Sequence, residues 1–539
     1  MIDIAGKTIH AAFADAVAAY GPNDLLVLPG DRERAYWPGG FAATYDEAAA
    51  LVEAARASLA AAEYGHGHRI ACLLANRPET LLLKFAMNGL GISWTPLNPD
   101  YRPAEMAYVL QDSGADLLLA GPELMGLAEA AVAESGRDDL ALLAYDAGDL
   151  APPPAPRPPP LAGAAAPESE ASLLYTSGTT GRPKGCILSH EYELMVGAWY
   201  ADIGGRMALR EGEDRLYNPL PLFHLNAAIV SFFGLMLTGN CQIATDRFSA
   251  RKWWPEIRET RATAIHYLGV VAPVLMNLPP GPDDRNHTVR WGAGAGIEPS
   301  IHKPFEDRFG FPMVELWGMT EMCRVLADAD EPRSIHTRAI GRARPGLEVR
   351  VVDQDDREVP AGEPGEMVVR HSAETPRHGA FSGYLNLPEA TEDAWRGGWF
   401  HTGDTVSMDK TGMIYFVDRK KNIIRRSGEN IAAAEIEACL QGHAAIAQVA
   451  VLAIPDEVRD EEVMACVVPR AGKGDAALAR ALFDHCFNEL AYYKAPGWLV
   501  FVDALPVTGT QKVQKHMLFQ DEDPRQRSSA HDFRPLKKR

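Results

Sequence analysis

Cysteine pairing is the first thing missing from this chain. Its seven cysteines (Cys72, Cys186, Cys241, Cys323, Cys439, Cys466 and Cys486) are scattered over 539 residues with no CxxC and no Cys/His spacing. An odd, dispersed set argues against a disulfide frame or a zinc site and for reduced thiols in a cytoplasm. Long apolar runs are missing as well. The longest nearly apolar stretch, Ala227 to Leu237, falls well short of the ~18 residues that indicate a membrane span. The opening residues Met1-Ile2-Asp3-Ile4-Ala5 carry no basic leader. A cytoplasmic protein without stable membrane insertion is therefore expected. Basic charge is in deficit too: 53 Lys and Arg face 72 Asp and Glu, for a net charge of −19. Nucleic-acid binding depends on cations neutralising phosphates, so none is expected.

What is present is an ordinary globular composition, 47% hydrophobic and 23% charged, in a chain long enough for several domains. Between Thr44 and Leu119, helical patterns alternate with short apolar strands. A helix is predicted over 45–62, a strand over 68–74 (HRIACLL), a helix over 78–90 and a strand over 92–96. Such alternation implies an α/β fold with parallel sheets covered on both faces. Residues 151–170 hold eight prolines and read as a stiff surface connector. After Gly398 the pattern changes to a small α+β unit. Helices are expected over 433–440 and 476–490, and strands over 449–454, 463–469 and 498–502. The boundaries this sets are an N-terminal domain of stacked α/β layers over 1–420, a small C-terminal domain over 421–519, and a polar, poorly ordered tail over 520–539.

The most informative string runs from Leu173 to Gly185: Leu-Leu-Tyr-Thr-Ser-Gly-Thr-Thr-Gly-Arg-Pro-Lys-Gly. An apolar strand leads into hydroxyl and glycine residues and ends on Lys184. Glycines let the backbone approach an anion closely, while amide and hydroxyl groups donate to phosphate oxygens and the lysine adds charge. It is not a Walker A loop, because Lys184 is followed by Gly185 and a short strand, not by Ser/Thr and a helix.

This string resembles the phosphate-binding loop of the adenylate-forming superfamily, which includes acyl-CoA synthetases, luciferases and peptide-synthetase adenylation domains. The resemblance spans nearly the whole chain through motifs in the family's order. Pro219-Leu-Pro-Leu-Phe-His224 resembles the motif at the mouth of the acyl pocket, and Gly292-Ala-Gly294-Ala295-Gly296 the turn against adenine. Trp317-Gly318-Met319-Thr320-Glu321 resembles the aromatic-Gly-x-Thr-Glu motif. Gly398 to Asp404, with Asp418-Arg419, resembles the ribose-binding pair, and Leu505 to Val513 the motif of the catalytic lysine, here Lys512. The string Arg425 to Ile431, with Arg459-Asp460-Glu461, is locally most similar to carnitine/crotonobetaine-type CoA ligases.

The resemblance implies that Thr176, Ser177, Gly178, Thr179, Thr180, Gly181 and Lys184 bind the phosphates of ATP. It places Gly294, Ala295, Gly296, Trp317, Gly318 and Met319 around adenine, and Asp404 and Arg419 on the ribose. Lys512, Glu321, Thr320 and His224 are the implied catalytic residues, with Glu321 and Thr176 at Mg²⁺. Residue chemistry points the same way. Two anions must meet during adenylation, so cations and a hard metal are needed, and Glu321 offers a carboxylate for Mg²⁺. Lys512 would act on the charge that develops in the transition state. The small C-terminal domain is implied to be mobile, with Lys421 as its hinge. Three positions depart from the family's usual pattern: Trp317 replaces Tyr, Gln511 replaces Gly, and Gly296 replaces Pro with the same bend expected.

The implied reaction is activation of a small carboxylic acid by ATP, then thioester formation with coenzyme A as co-substrate. From Tyr217 to Thr245 there is no Asp or Glu to hold an amino group, which speaks against an α-amino acid. Only about 27 residues follow Lys512, too few for a carrier domain in this chain. A stand-alone enzyme loading a separate carrier protein and a non-catalytic nucleotide-binding sensor are the alternatives. A homodimer is a possible assembly. Arg324 has two readings: an ion pair at the surface or just behind the site, or a grip on a second anionic group of the substrate.

Overall fold

The computed structural model describes residues 1–538 apart from 147–148, 151–152, 157, 177–181, 270, 420–422, 507–514, 516–517 and 520–521, and only the backbone of 149, 418, 419, 423, 430 and 434. Ser177, Gly178, Thr179, Thr180, Gly181, Lys421 and Lys512 therefore lie outside the described residues, as does the side chain of Arg419.

The chain divides into two compact units. One comprises Met1–Pro99, Ala107–Tyr175 and Gly185–Asp418, and the other comprises Asp100–Met106, Thr176–Lys184 and Arg419–Arg539. The larger unit is built on two eight-stranded sheets and a five-stranded one. In the first sheet, Asp24–Leu28, Cys241–Ala244, Arg215–Asn218, Ala264–Leu268, Trp291–Ala295 and Met313–Met319 run parallel, and an antiparallel strand closes each edge. Strands Glu170–Thr176, Ser93–Pro96, Arg69–Leu73, Leu117–Ala120 and Ala141–Asp146 form the parallel middle of the second. The side chains of Arg69–Leu73, Ser93–Pro96 and Leu117–Ala120, at its centre, are buried on both faces, as helix-covered parallel strands require. Helices start where the chemistry allows. Thr44 and Glu47 form a capping box that opens Tyr45–Ala61, and Ser189 accepts from the Tyr192 amide at the start of His190–Ala201.

Helix His190–Ala201 is pinned by charge at its buried face. Lys84 on helix Glu79–Asn88 and Glu193 are both fully buried and pair at 2.5 Å, and Lys84 also donates to Asn88 at 2.8 Å. Burial pushes the Lys84 ammonium below its ordinary value, and the Glu193 carboxylate opposes that shift.

The smaller unit carries a six-stranded sheet in which the hairpin Ile446–Asp456 and Asp460–Pro469 is the longest pairing. Helices Ala433–Gln441 and Ala476–Glu489 pack over it, the second capped by Asp475. The tail corrects one expectation. Strand Ala530–Asp532 pairs with Trp498–Phe501, Phe533 is buried, and Lys537 forms a fully buried ion pair with Glu462 at 2.5 Å. A polar stretch is ordered here because its backbone extends a sheet and its lysine meets a buried carboxylate, neither of which composition reveals.

Candidate active site

Three sheets of the larger unit meet at one hairpin. Strands Met313–Met319 and Met322–Ala327 pair antiparallel with Met319 opposite Met322, which leaves Thr320 and Glu321 at the tip. The Tyr192 hydroxyl donates to the Thr320 carbonyl at 2.8 Å and so holds the tip against helix His190–Ala201. From the second sheet, the Tyr384 hydroxyl donates to Glu321 Oε1 at 2.9 Å. From the five-stranded sheet, Asp404 Oδ2 accepts the Trp317 indole N–H at 2.8 Å. Trp317, Glu321 and Asp404 are all buried, at 4%, 8% and 3% exposure. Burial raises the Tyr384 phenol far above its usual range, and the neighbouring Glu321 carboxylate adds to the shift. Tyr384 thus stays a donor throughout the physiological range.

The glycine turn is shaped from beneath by a residue that sequence reasoning missed. Glu315 accepts from the amides of Gly296 at 2.9 Å and Ile297 at 3.2 Å, and from the Tyr267 hydroxyl at 2.5 Å. Burial raises the Glu315 carboxyl above its ordinary value, with these three donors working against the rise. At Gly294 a Cβ would lie 2.1 Å from the Tyr267 carbonyl oxygen, so only glycine fits. Gly296 has φ +88°. This overturns the expectation of a bend that proline could share, because proline fixes φ near −65°.

Candidate residues elsewhere fall on well-defined elements. Thr176 ends strand Glu170–Thr176, and Lys184 begins strand Lys184–Ser189. His224 precedes a single π-helical segment, Asn226–Val230, and its ring lies 4.6 Å from that of Phe223. Asn226 Oδ1 meets His266 Nδ1 at 2.7 Å, and His266 Nε2 meets the Tyr200 hydroxyl at 2.7 Å. Burial alone depresses the His266 pKa to about 3. The apolar neighbours Ala264, Ile265, Tyr267 and Leu268 are the sequence signal for a histidine that lies inside.

Arg324 also departs from the first of its two readings. It is 3% exposed, and among the described residues no carboxylate lies within ion-pair distance of it. Its Nη1 donates to the His378 carbonyl at 2.6 Å, while its buried Nε has no hydrogen-bond partner among the described residues.

Two family models match the chain: AMP-binding enzyme over residues 27–385 and AMP-binding enzyme C-terminal domain over residues 435–512. The sulfoacetate–CoA ligase of Cupriavidus necator is 31% identical over 515 residues, which cover 94% of this chain and 96% of that protein. The crotonobetaine/carnitine–CoA ligase of Citrobacter koseri is 30% identical over 470 residues, 84% and 88% of the two chains. Among solved structures, a malonyl-CoA ligase in a ternary product complex with methylmalonyl-CoA and AMP superposes with a TM-score of 0.74. It is 28% identical and covers 92% of this chain and 100% of that one. The sheets and the hairpin they converge on define a nucleotide-binding α/β enzyme. The chain belongs to the AMP-binding enzyme family. Among the described residues, no helix is long and apolar enough to cross a membrane.

Proposed function

We infer that this protein is an AMP-forming acid–thiol ligase that joins a small carboxylic acid to coenzyme A. A carboxylate oxygen of the acid attacks the α-phosphorus of ATP and pyrophosphate leaves. The thiol of coenzyme A then attacks the acyl carbon and AMP leaves. The observation that carries this reading is the convergence of Glu321, Trp317, Asp404 and Tyr384 at the Thr320-Glu321 tip. The relatives named as CoA ligases support the thiol acceptor.

In this reading Asp404 holds the ribose hydroxyls together with Arg419, and Trp317 both borders adenine and orients Asp404. Thr176 to Gly181 and Lys184 receive the phosphates, and Thr320 donates to a phosphate oxygen. His224 stands at the mouth of the acyl pocket. Lys512 supplies positive charge where the acid oxygen and the α-phosphate approach, and does so only in the first step. Mg²⁺ suits the donor set. Among the described residues no cluster of three or more His, Cys, Asp or Glu side chains is arranged for a metal. A hard cation held by Glu321 and completed by phosphates and water needs no such cluster. Bound there, it would neutralise phosphate charge.

The test is pyrophosphate release from ATP over a panel of carboxylic acids, with and without coenzyme A. A ligase yields AMP, pyrophosphate and acyl-CoA in equal amounts and turns over only with coenzyme A. Release of ADP, or no release with any acid, would defeat the reading.

A further inference from the structure

Beside the hairpin lies a cationic cradle that no role above uses. Strand Met322–Ala327 carries Arg324 three residues beyond Glu321, so their Cα atoms are about 10 Å apart along an extended strand. The segment that covers Arg324 is the one that covers Glu321. The Cys323 amide donates to the Gly379 carbonyl, and the Phe381 amide donates to the Glu321 carbonyl. Helix His190–Ala201 supplies a third wall through Trp199, whose indole N–H donates to the Val325 carbonyl at 2.8 Å. Two guanidinium groups flank that indole, Arg324 at 5.7 Å and Arg344 at 5.3 Å from the ring centroid.

Among the described residues, each guanidinium keeps one buried nitrogen without a hydrogen-bond partner, Nε of Arg324 and Nη1 of Arg344. Asp202 pairs with Arg344 through Nη2 at 3.0 Å and Glu348 pairs with Arg370 at 2.6 Å, and neither is ion-paired to Arg324. His371 stands close by with its ring 4.8 Å from His378, and burial, Arg324 and His378 all hold its pKa below the usual value. At Gly346, φ is +91°, and a Cβ placed there would lie 3.6 Å from Trp199 Cζ3, 3.8 Å from Arg324 Nε and 3.9 Å from His371 Cδ2. The missing side chain therefore leaves room for one methyl-sized group, and the Arg324 Nε–H borders it.

A buried guanidinium with an unmet donor and no carboxylate in reach is a costly arrangement unless an anion completes it. We propose that Arg324, with Arg344 and His371 around it, binds a second anionic group of the substrate, so that the acid activated here is a short dianion bearing a carboxylate or sulfonate besides the reacting carboxylate. The proposal rests on the ligase reading. It also sets this chain apart from a ligase for betaine-like acids, since a quaternary ammonium group would be repelled by the same guanidinium.

The test compares acyl-CoA formation from matched acids: sulfoacetate against propionate, succinate against butyrate, and crotonobetaine as the cationic case. The wild-type enzyme should favour a dianion over its uncharged match by at least about 100-fold in kcat/KM. Arg324→Met should remove that preference while changing the rate on the monocarboxylic acid less than about three-fold, and Arg324→Lys should restore part of it. Monocarboxylic acids or crotonobetaine used as well as the dianions, or equal losses on both classes in Arg324→Met, would overturn the proposal. Should Arg324→Met fail to fold, the wild-type ratio and the Arg324→Lys variant decide alone. The two readings fail differently: pyrophosphate release with the wrong acids defeats the dianion, and no release with any acid defeats the ligase.

Discussion

The Trp317 indole N–H reaches Asp404 Oδ2 across 2.8 Å and joins two buried residues 87 positions apart. In the proposed reading, the side chain that borders adenine thus sets the direction of the carboxylate that holds ribose. Trp317→Phe keeps an aromatic face and removes this bond, and a lost hydrogen bond to a charged group is worth about 1.5–3 kcal/mol. We expect a KM for ATP raised about ten-fold or more, with kcat less affected. Steady-state kinetics at saturating acid and coenzyme A check this, and an unchanged KM would separate Trp317 from the nucleotide.

Glu321 and Tyr384 form the second such pair. Glu321→Gln should raise the Mg²⁺ concentration needed for half-maximal pyrophosphate release, because an amide is a poorer ligand for a hard cation. Tyr384→Phe should shift the same curve in the same direction but less, since it removes only the orienting donor. Mg²⁺ titrations of the first half-reaction distinguish the two variants from wild type.

Helix His190–Ala201 links the Thr320 tip to Trp199, and the Lys84–Glu193 pair beneath it is completely buried. Lys84→Met should lower stability by about 3–5 kcal/mol, because it strands a buried carboxylate. Adding Glu193→Leu should recover most of that loss. Urea unfolding of the two single variants and the double variant measures the coupling. Losses that simply add would mean that the two charges act independently.

Acid should weaken the larger unit through its buried imidazoles. His266 and His190 ordinarily titrate near 6.5, and burial lowers both to about 3 in the folded chain. Between those values the unfolded chain binds more protons. Stability is therefore fully present above pH 6.5 and is lost as pH falls towards 3, by up to ~1.4 kcal/mol per pH unit for each histidine. His266→Gln should be less stable than wild type at pH 7 yet lose less between pH 7 and pH 5. Urea unfolding at the two pH values reads the difference, and parallel losses would contradict the assignment.

Much of the scaffold is legible in the sequence because hydrophobic period follows from local geometry. The run His68 to Leu74 reads as a buried strand, and Arg69–Leu73 is one. The Asp-free stretch around Asn226 shows what the site lacks, but not that Asn226 is spent on His266. Glu315, His266 and the Lys84–Glu193 pair escape because their meaning lies in partners that the fold brings together, and an isolated polar residue carries no sign of that. Arg324 shows the limit best. Its neighbours in sequence are uninformative, and only burial without a carboxylate separates an ion pair from a ligand. The ordered tail escapes for a related reason, since a three-residue strand pairs through backbone atoms.

The most direct test of the account follows the oxygen of the acid. A carboxylic acid labelled with ¹⁸O in both carboxyl oxygens is turned over with ATP and coenzyme A, and the products are weighed by mass spectrometry. If the acid is activated as an acyl-adenylate and then passed to the thiol, AMP carries one labelled oxygen, the thioester keeps the other, and pyrophosphate carries none. Label in inorganic phosphate or pyrophosphate, or unlabelled AMP beside labelled acyl-CoA, would contradict activation at the α-phosphorus.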